Sequence, residues 1–368
     1  MNGHETLTPI KDTLLEKLDL NNKEVQFSIL SYDKHQTLEG LQIEPLAMAY
    51  LHHLERFGVE LPNVTTLIAS QKGSHLSRCI FVWDREPDEI SEAYINTLQR
   101  LAANTTFVVR YSEVKRTFYC HKPACVTKYY PLQTYLRGKR GVDRISFPEI
   151  SQSVRDTERQ MAVFWGRLAG AFSDHKKFQE EVVLNRILKN FVVQPFFTWL
   201  WDLDRIIRYK NTYWEIELKH KYPFERNKTL YFGLNVGQTK LVRELGFVGI
   251  RTLHIILVKP IWNKNIDPGY LFNRRDMLGK VLLIGTELTT TKAENMLKQK
   301  PRESDVSTSY SGKEKNNFLS ISASDFYVLG SYETPPEKVA MNILNLLDGK
   351  EENLTQVTDQ LLFDYKFI

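Results

Sequence analysis

The clearest pattern along the chain is the strict alternation between residues 213 and 219, where Trp214, Ile216 and Leu218 interleave with Glu215, Glu217 and Lys219. Period two over such a run predicts a β-strand with one buried face, and it points Glu217 and Lys219 the same way. Asp204 opens a second short strand, residues 205–209, and the Lys210-Asn211 pair between the two runs is turn chemistry that folds them into a hairpin. Pairing of this kind carries Asp204 towards the far end of the second strand, beside Glu217.

Elsewhere the pattern is less regular. Residues 23–32 alternate as a strand, 44–57 read as a helix ended by Gly58, and 64–70 form a second apolar strand. Residues 78–83 follow as a strand, 88–103 as a helix with an acidic first turn, and 105–111 as another strand. The order β-α-β-β-α-β is that of ferredoxin-like domains, so a separate N-terminal α/β module is expected, with Phe81 and Trp83 read as core rather than as a base-stacking surface. Helices are expected at 153–172, through Met161, Phe164, Leu168 and Phe172, and at 178–191, through Val182, Leu184, Ile187 and Leu188. Residues 192–200 read as a strand in which Pro195 marks an edge or a bulge. A helix at 236–245 stopped by Gly246, a strand at 252–258 closed by Pro260, and one more strand within 279–288 complete the central part. Residues 298–317 hold only Val306 and Tyr310 as sizeable apolar side chains and are expected to be disordered. Beyond them, 318–332 and a helix at 336–347 predict a packed extension.

At 368 residues the chain exceeds what one core usually serves. The expected division is an N-terminal recognition or regulatory module at 1–150, a second domain at 151–290, a linker at 291–317 and an extension at 318–368. No run of eighteen apolar residues occurs and the first twelve residues lack a secretory pattern, so no membrane partner and a cytoplasmic location are expected. Cys79, Cys120 and Cys125 are too few for a disulfide framework, and Cys120, His121 and Cys125 fall one ligand short of a structural zinc site. The net charge of +5 is modest. Its distribution says more, since residues 205–228 carry seven Lys or Arg against three Glu and so form a basic surround for an acidic site. A second basic stretch, 137–144, reads as a loop that is either a linker or a phosphate contact.

The Asp204 … Glu217-Leu218-Lys219 arrangement resembles the PD-(D/E)xK, or restriction-endonuclease-like, nuclease superfamily, whose α/β core runs αβββαβ in the order read above from residue 178 to 258. The resemblance implies a metal-dependent endonuclease that hydrolyses phosphodiester bonds. Asp204 and Glu217 would hold Mg²⁺ or Mn²⁺, with the Leu218 carbonyl oxygen as a further ligand. Lys219 would act on the scissile phosphate or the attacking water, Glu180 or Glu181 would orient that water, and Gln238 would assist from the second helix. No proline precedes Asp204, and Asp202 competes for its role. Nucleic acid is the implied partner, DNA ahead of RNA, in a prokaryotic or phage defence or mobile-element setting. A protein partner through the N-terminal module or the C-terminal helix, and a homodimer, stay open. Two other readings also stay open: a nucleic-acid-binding or assembly protein on a nuclease fold that does not cut, and an unrelated metal-dependent phosphoesterase.

Overall fold

The computed structural model describes residues 5–32, 36–71, 78–102, 105–142, 144–151, 175–263, 270, 275–307 and 315–367. The helix expected at 153–172 lies outside the described residues. The chain is mixed α/β and forms two compact units, one built from Met1–Thr37 and Pro62–Leu203, the other from Leu38–Leu61, Asp204–Ser309 and Glu314–Ile368. The units part between Leu203 and Asp204, and not near residue 150 as expected. Length and composition give no sign of this boundary, because it falls inside a run of strand-forming residues.

The first unit holds a six-stranded sheet in the order β5-β4-β3-β2-β1-β6. Its strands are β1 (Val64–Ser70), β2 (Arg78–Asp84), β3 (Thr106–Ser112), β4 (Thr117–His121), the two-residue β5 (Tyr130–Pro131) and β6 (Trp199–Leu203). Only β2 and β3 run parallel, joined by the helix Glu89–Ala102, whose Tyr94 hydroxyl meets Thr66 Oγ1 at 3.0 Å. The expected ferredoxin-like order is not formed. Lys23–Ser31 is a helix rather than a strand, because the Asn22 side chain accepts from the amides of Glu24 and Val25, an N-cap that alternation cannot register. Phe81 and Trp83 are core, stacked on Phe107 and set edge-on to Phe118.

The strand expected at 192–200 is also corrected. The helical run that starts at His175–Phe178 continues through π-helical Gln179–Val183 and Ile187–Val193 to a 3-10 turn, Gln194–Phe196. Ile187, Leu188, Phe191 and Val192 share helical spacing and are all buried, and Pro195 opens the closing turn. Residues 137–140, expected in a loop, instead end the helix Leu132–Arg140, with Gly141 at φ 61° as its C-cap and three cations in its last turn.

The second unit has a five-stranded sheet, β15-β12-β11-β8-β7, and a four-stranded sheet, β13-β14-β10-β9. The hairpin read from the sequence is present: β7 (Arg205–Tyr209) and β8 (Thr212–Lys221) pair antiparallel across Lys210 and Asn211, both at positive φ. β9 (Phe224–Arg226) and β10 (Thr229–Asn235) lead to the helix Val236–Phe247, after which β11 (Ile250–Val258) returns parallel to β8. β12 (Leu282–Glu287) and β15 (Tyr327–Ser331) extend the sheet antiparallel. One sheet face packs Ile207, Trp214, Ile216, Leu253 and Ile255 with Leu51 and Leu54 of the helix Gln36–Leu54 and with Ile343 of the helix Pro336–Leu347. On the other, Ile256, Val258 and Ile284 pack with Phe232 of β10, Leu319 of the second sheet and Val242.

Part of the segment expected to be disordered pairs as strands, β13 (Arg302–Ser307) with β14 (Lys315–Ser322), because Leu319 and Ile321 give the hairpin an anchored face that its polar first strand lacks. The helix and first strand of the expected αβββαβ core lie in the first unit, and the remaining strands with the second helix lie in the second.

Packing behind the five-stranded sheet is tight at Gly285 of β12, where an added Cβ would meet Leu329 Cδ1 at 2.8 Å and Leu346 Cδ1 at 3.2 Å. Gly285→Ala is therefore expected to lower the stability of this unit by about 1–3 kcal/mol, read as a lower urea midpoint at unchanged slope.

Candidate functional site

Alternation in β8 sends Trp214, Ile216 and Leu218 to one side and Glu215, Glu217, Lys219 and Lys221 to the other, the side shared with Ile256 and Val258 of β11. Glu215 and Glu217 are each 2 % exposed. Carboxylates this deep need partners, because the interior offers little of the solvation that water does. The hairpin supplies the first: Arg205 pairs with Ile216, which places Asp204, one residue earlier, beside Glu217. Asp204 Oδ2 accepts from the Leu218 amide at 2.9 Å and lies 3.4 Å from Lys219 Nζ. Glu217 Oε1 forms an ion pair with the same ammonium. One nitrogen thus holds both carboxylates, and Asp204, Glu217 and Lys219 converge although thirteen residues separate the two acids.

Two further side chains belong to this face. Glu215 stands two residues before Glu217, its Oε2 buried without a hydrogen-bond partner. Burial, and then the Glu217 charge beside it, raise its pKa well above the usual carboxylate value, which favours the protonated form next to Glu217. Burial acts on Glu217 in the same direction, but the Lys219 ammonium outweighs it and lowers the Glu217 pKa. His254 of β11 pairs in register with Glu217 on one side and with Thr286 of β12 on the other. It is fully buried, and both ring nitrogens lack a hydrogen-bond partner among the described residues. Burial, against the opposing Glu217 charge, pushes its pKa down to about 3, which keeps the imidazole neutral. Glu215 was legible in the sequence from the same period of two. His254 was not, since only the parallel pairing of β8 with β11 brings it to Glu217.

The other candidates stand on separate elements. Asp202 belongs to the first unit, where the Lys189 ammonium at 2.7 Å overrides the upward push of burial and holds its pKa at about 2. Its charge is already answered, which leaves Asp204 as the aspartate of the cluster. Glu180 and Glu181 also belong to the first unit and pair with Lys176 and Lys177 one turn before them, at 3.6 and 3.8 Å. Gln238 lies half-buried in the first turn of Val236–Phe247, after the Asn235 cap.

Among the described residues no group of three or more His, Cys, Asp or Glu side chains is arranged to hold a metal ion. Two carboxylates facing one site still fit a hard divalent cation of the Mg²⁺ type, which keeps several waters and uses one or two protein carboxylates. Lys219 Nζ, in contact with both, marks where positive charge is stabilised.

The raised pKa of Glu215 fixes the sign of a pH effect. Above the ordinary glutamate pKa the unfolded chain has lost this proton while the folded chain retains it, so stability falls as pH rises towards the folded value. Glu215→Gln removes that loss. Thermal melts are expected to show the variant gaining stability over the parent as pH increases from about 5 to 8, with the two converging in acid.

Comparison with models of known families, with curated proteins and with solved structures finds no match for this chain.

Proposed function

We propose that the chain is a metal-dependent nuclease that hydrolyses phosphodiester bonds, acting as a DNA endonuclease in the cytoplasm within a prokaryotic or phage defence or mobile-element setting. The observation that carries this reading is the convergence of Asp204 and Glu217 on one ammonium, at the end of a hairpin whose register fixes their spacing. Support comes also from the order β7, β8, helix, β11 within one sheet, with β8 and β11 parallel and the β9–β10 pair of the second sheet inserted before the helix, an order that resembles the second half of the restriction-endonuclease-like core.

In this mechanism Asp204 and Glu217 would hold Mg²⁺ or Mn²⁺. The bound cation supplies Lewis acidity towards the phosphoryl oxygen and a lowered pKa for the attacking water. The Leu218 amide fixes the orientation of Asp204, so the carboxylate has no rotamer search to make before it binds. Lys219 Nζ exchanges its carboxylate partners for the scissile phosphate, where an ammonium offsets the charge that builds in the transition state. Neutral Glu215 adds no negative charge beside Glu217, which limits repulsion of the phosphate. Glu180 and Glu181, each engaged with its own lysine, take no part in these steps.

A second reading, a nucleic-acid-binding or assembly protein that does not cut, is favoured by one fact: Lys219 already neutralises the cluster, as a purely structural ion pair would. A single assay separates the two. Plasmid, single-stranded DNA and RNA are incubated with the chain, and the DNA substrates are expected to be cleaved in Mg²⁺ or Mn²⁺ and left intact in EDTA, with RNA as the contrast. Lys219→Ala and Glu217→Gln should each lower the rate by at least about 100-fold, while Asp202→Ala leaves it close to that of the parent. Absence of cutting under every metal condition would reject the nuclease assignment, and equal loss from Asp202→Ala and Asp204→Ala would reject the choice of Asp204 as the metal-holding aspartate.

A further inference from the structure

The first unit carries a basic surface that the proposed chemistry does not use. It lies where β3 begins, β4 ends and the short edge strand β5 turns into the helix Leu132–Arg140. A line of rings runs outward from the core: Phe81 on Phe107 with centroids 5.5 Å apart, Phe107 to Tyr135 at 5.4 Å, and Tyr135 to Tyr130 at 5.3 Å. Tyr129 beside it is 48 % exposed. Each ring in the outer part has a cation over it: Lys122 Nζ lies 4.2 Å from Phe107, Lys139 Nζ 5.7 Å from Tyr135, and Lys128 Nζ 5.5 Å from Tyr130. Arg140 adds a fourth charge over Phe197 at 5.2 Å.

Four cations gathered on one small surface repel one another. Burial lowers the Lys122 pKa, and the nearby Lys139 ammonium acts in the same direction. Cation–π contacts favour ammonium groups held beside these rings. A ligand matching both features has negative charge at regular intervals and flat apolar faces between. Single-stranded nucleic acid has that form: its phosphates meet the lysines, and its unpaired bases stack on tyrosines, which paired bases in a duplex cannot do.

We infer that the first unit binds single-stranded nucleic acid on the surface formed by Lys122, Lys128, Lys139, Tyr129, Tyr130 and Tyr135. This surface does not depend on the carboxylate cluster of the second unit, and it gives the chain a means to choose unpaired regions as targets. The helix end that carries Lys139 and Arg140 also explains the basic 137–144 stretch of the sequence, since cations there favour the helix dipole while facing a phosphate.

The test is fluorescence anisotropy of the full chain in EDTA, which reads binding without cleavage and so separates failure of this surface from failure of the nuclease assignment. Labelled DNA and RNA single strands of about 16 nucleotides are compared with the matching DNA duplex. The single strands are expected to bind more tightly. Lys122→Gln with Lys139→Gln should weaken that binding and reduce the slope of log K against log salt by about 1.4, at ~0.7 per lost phosphate contact. Tyr130→Leu should cost about tenfold. Lys128→Glu, at a fully exposed position where folding is not at stake, supplies a charge-reversal arm. Duplex binding as tight as single-strand binding, or unchanged affinity in Lys128→Glu and Tyr130→Leu, overturns the inference.

Discussion

Two ionised carboxylates cannot lie side by side in a dry interior unless something answers their charge. Three acids share a confined region, Asp204 just before β7 and Glu215 and Glu217 on β8, with the Lys219 ammonium in contact with two of them. The arrangement answers this constraint in parts: Lys219 takes Asp204 and Glu217, the pKa of Glu215 is raised by burial and by the Glu217 charge, and that of His254 is lowered by burial. Every other feature of the region follows from the need to hold that distribution still. The hairpin sets the Asp204 spacing, the Leu218 amide orients its carboxylate, and an apolar core on the opposite face of the sheet anchors the strand through Trp214 and Ile216. A cluster balanced this closely is also one that an incoming cation or phosphate redistributes with little structural movement, which is the property a phosphoryl-transfer site needs.

How much of this was legible in the sequence depends on how local each feature is. The β7–β8 hairpin was, because period two, a two-residue turn and strand composition agree within eighteen residues, and its turn residues take the positive φ that such turns demand. Lys23–Ser31 misled because Val25, Phe27 and Ile29 alternate, while the Asn22 cap that decides for a helix is a single side chain. At 187–193 the apolar run is long enough to serve either helix or strand, and tertiary burial on several sides selected the helix. His254 shows the limit most plainly. Nothing near it in sequence suggests a role, and only register across two parallel strands connects it with Glu217.

The divided chain gives the two halves of the resemblance unequal weight. Residues of the proposed site, Asp204 through Lys219, all fall on one side of the Leu203–Asp204 boundary, whereas the acidic pair Glu180–Glu181 falls on the other and is met by lysines of its own helix. The motif by itself could not reveal that its helix and first strand would be built into a different sheet, because spacing along a chain does not say which strands pair. The structure also turns a bland basic stretch into a shaped surface, since Lys139 and Arg140, in the last turn of a helix, lie over the rings of Tyr135 and Phe197.

The two-residue turn at Lys210 and Asn211 acts as a ruler. Because side chains alternate across a sheet, adding or deleting one residue between Tyr209 and Thr212 would shift β7 by one place against β8 or force a bulge, and either would turn Asp204 away from Lys219. Loops elsewhere on a protein usually absorb insertions at small cost. This one cannot, so a lineage carrying this site should tolerate changes of residue type at the turn far more readily than changes of its length.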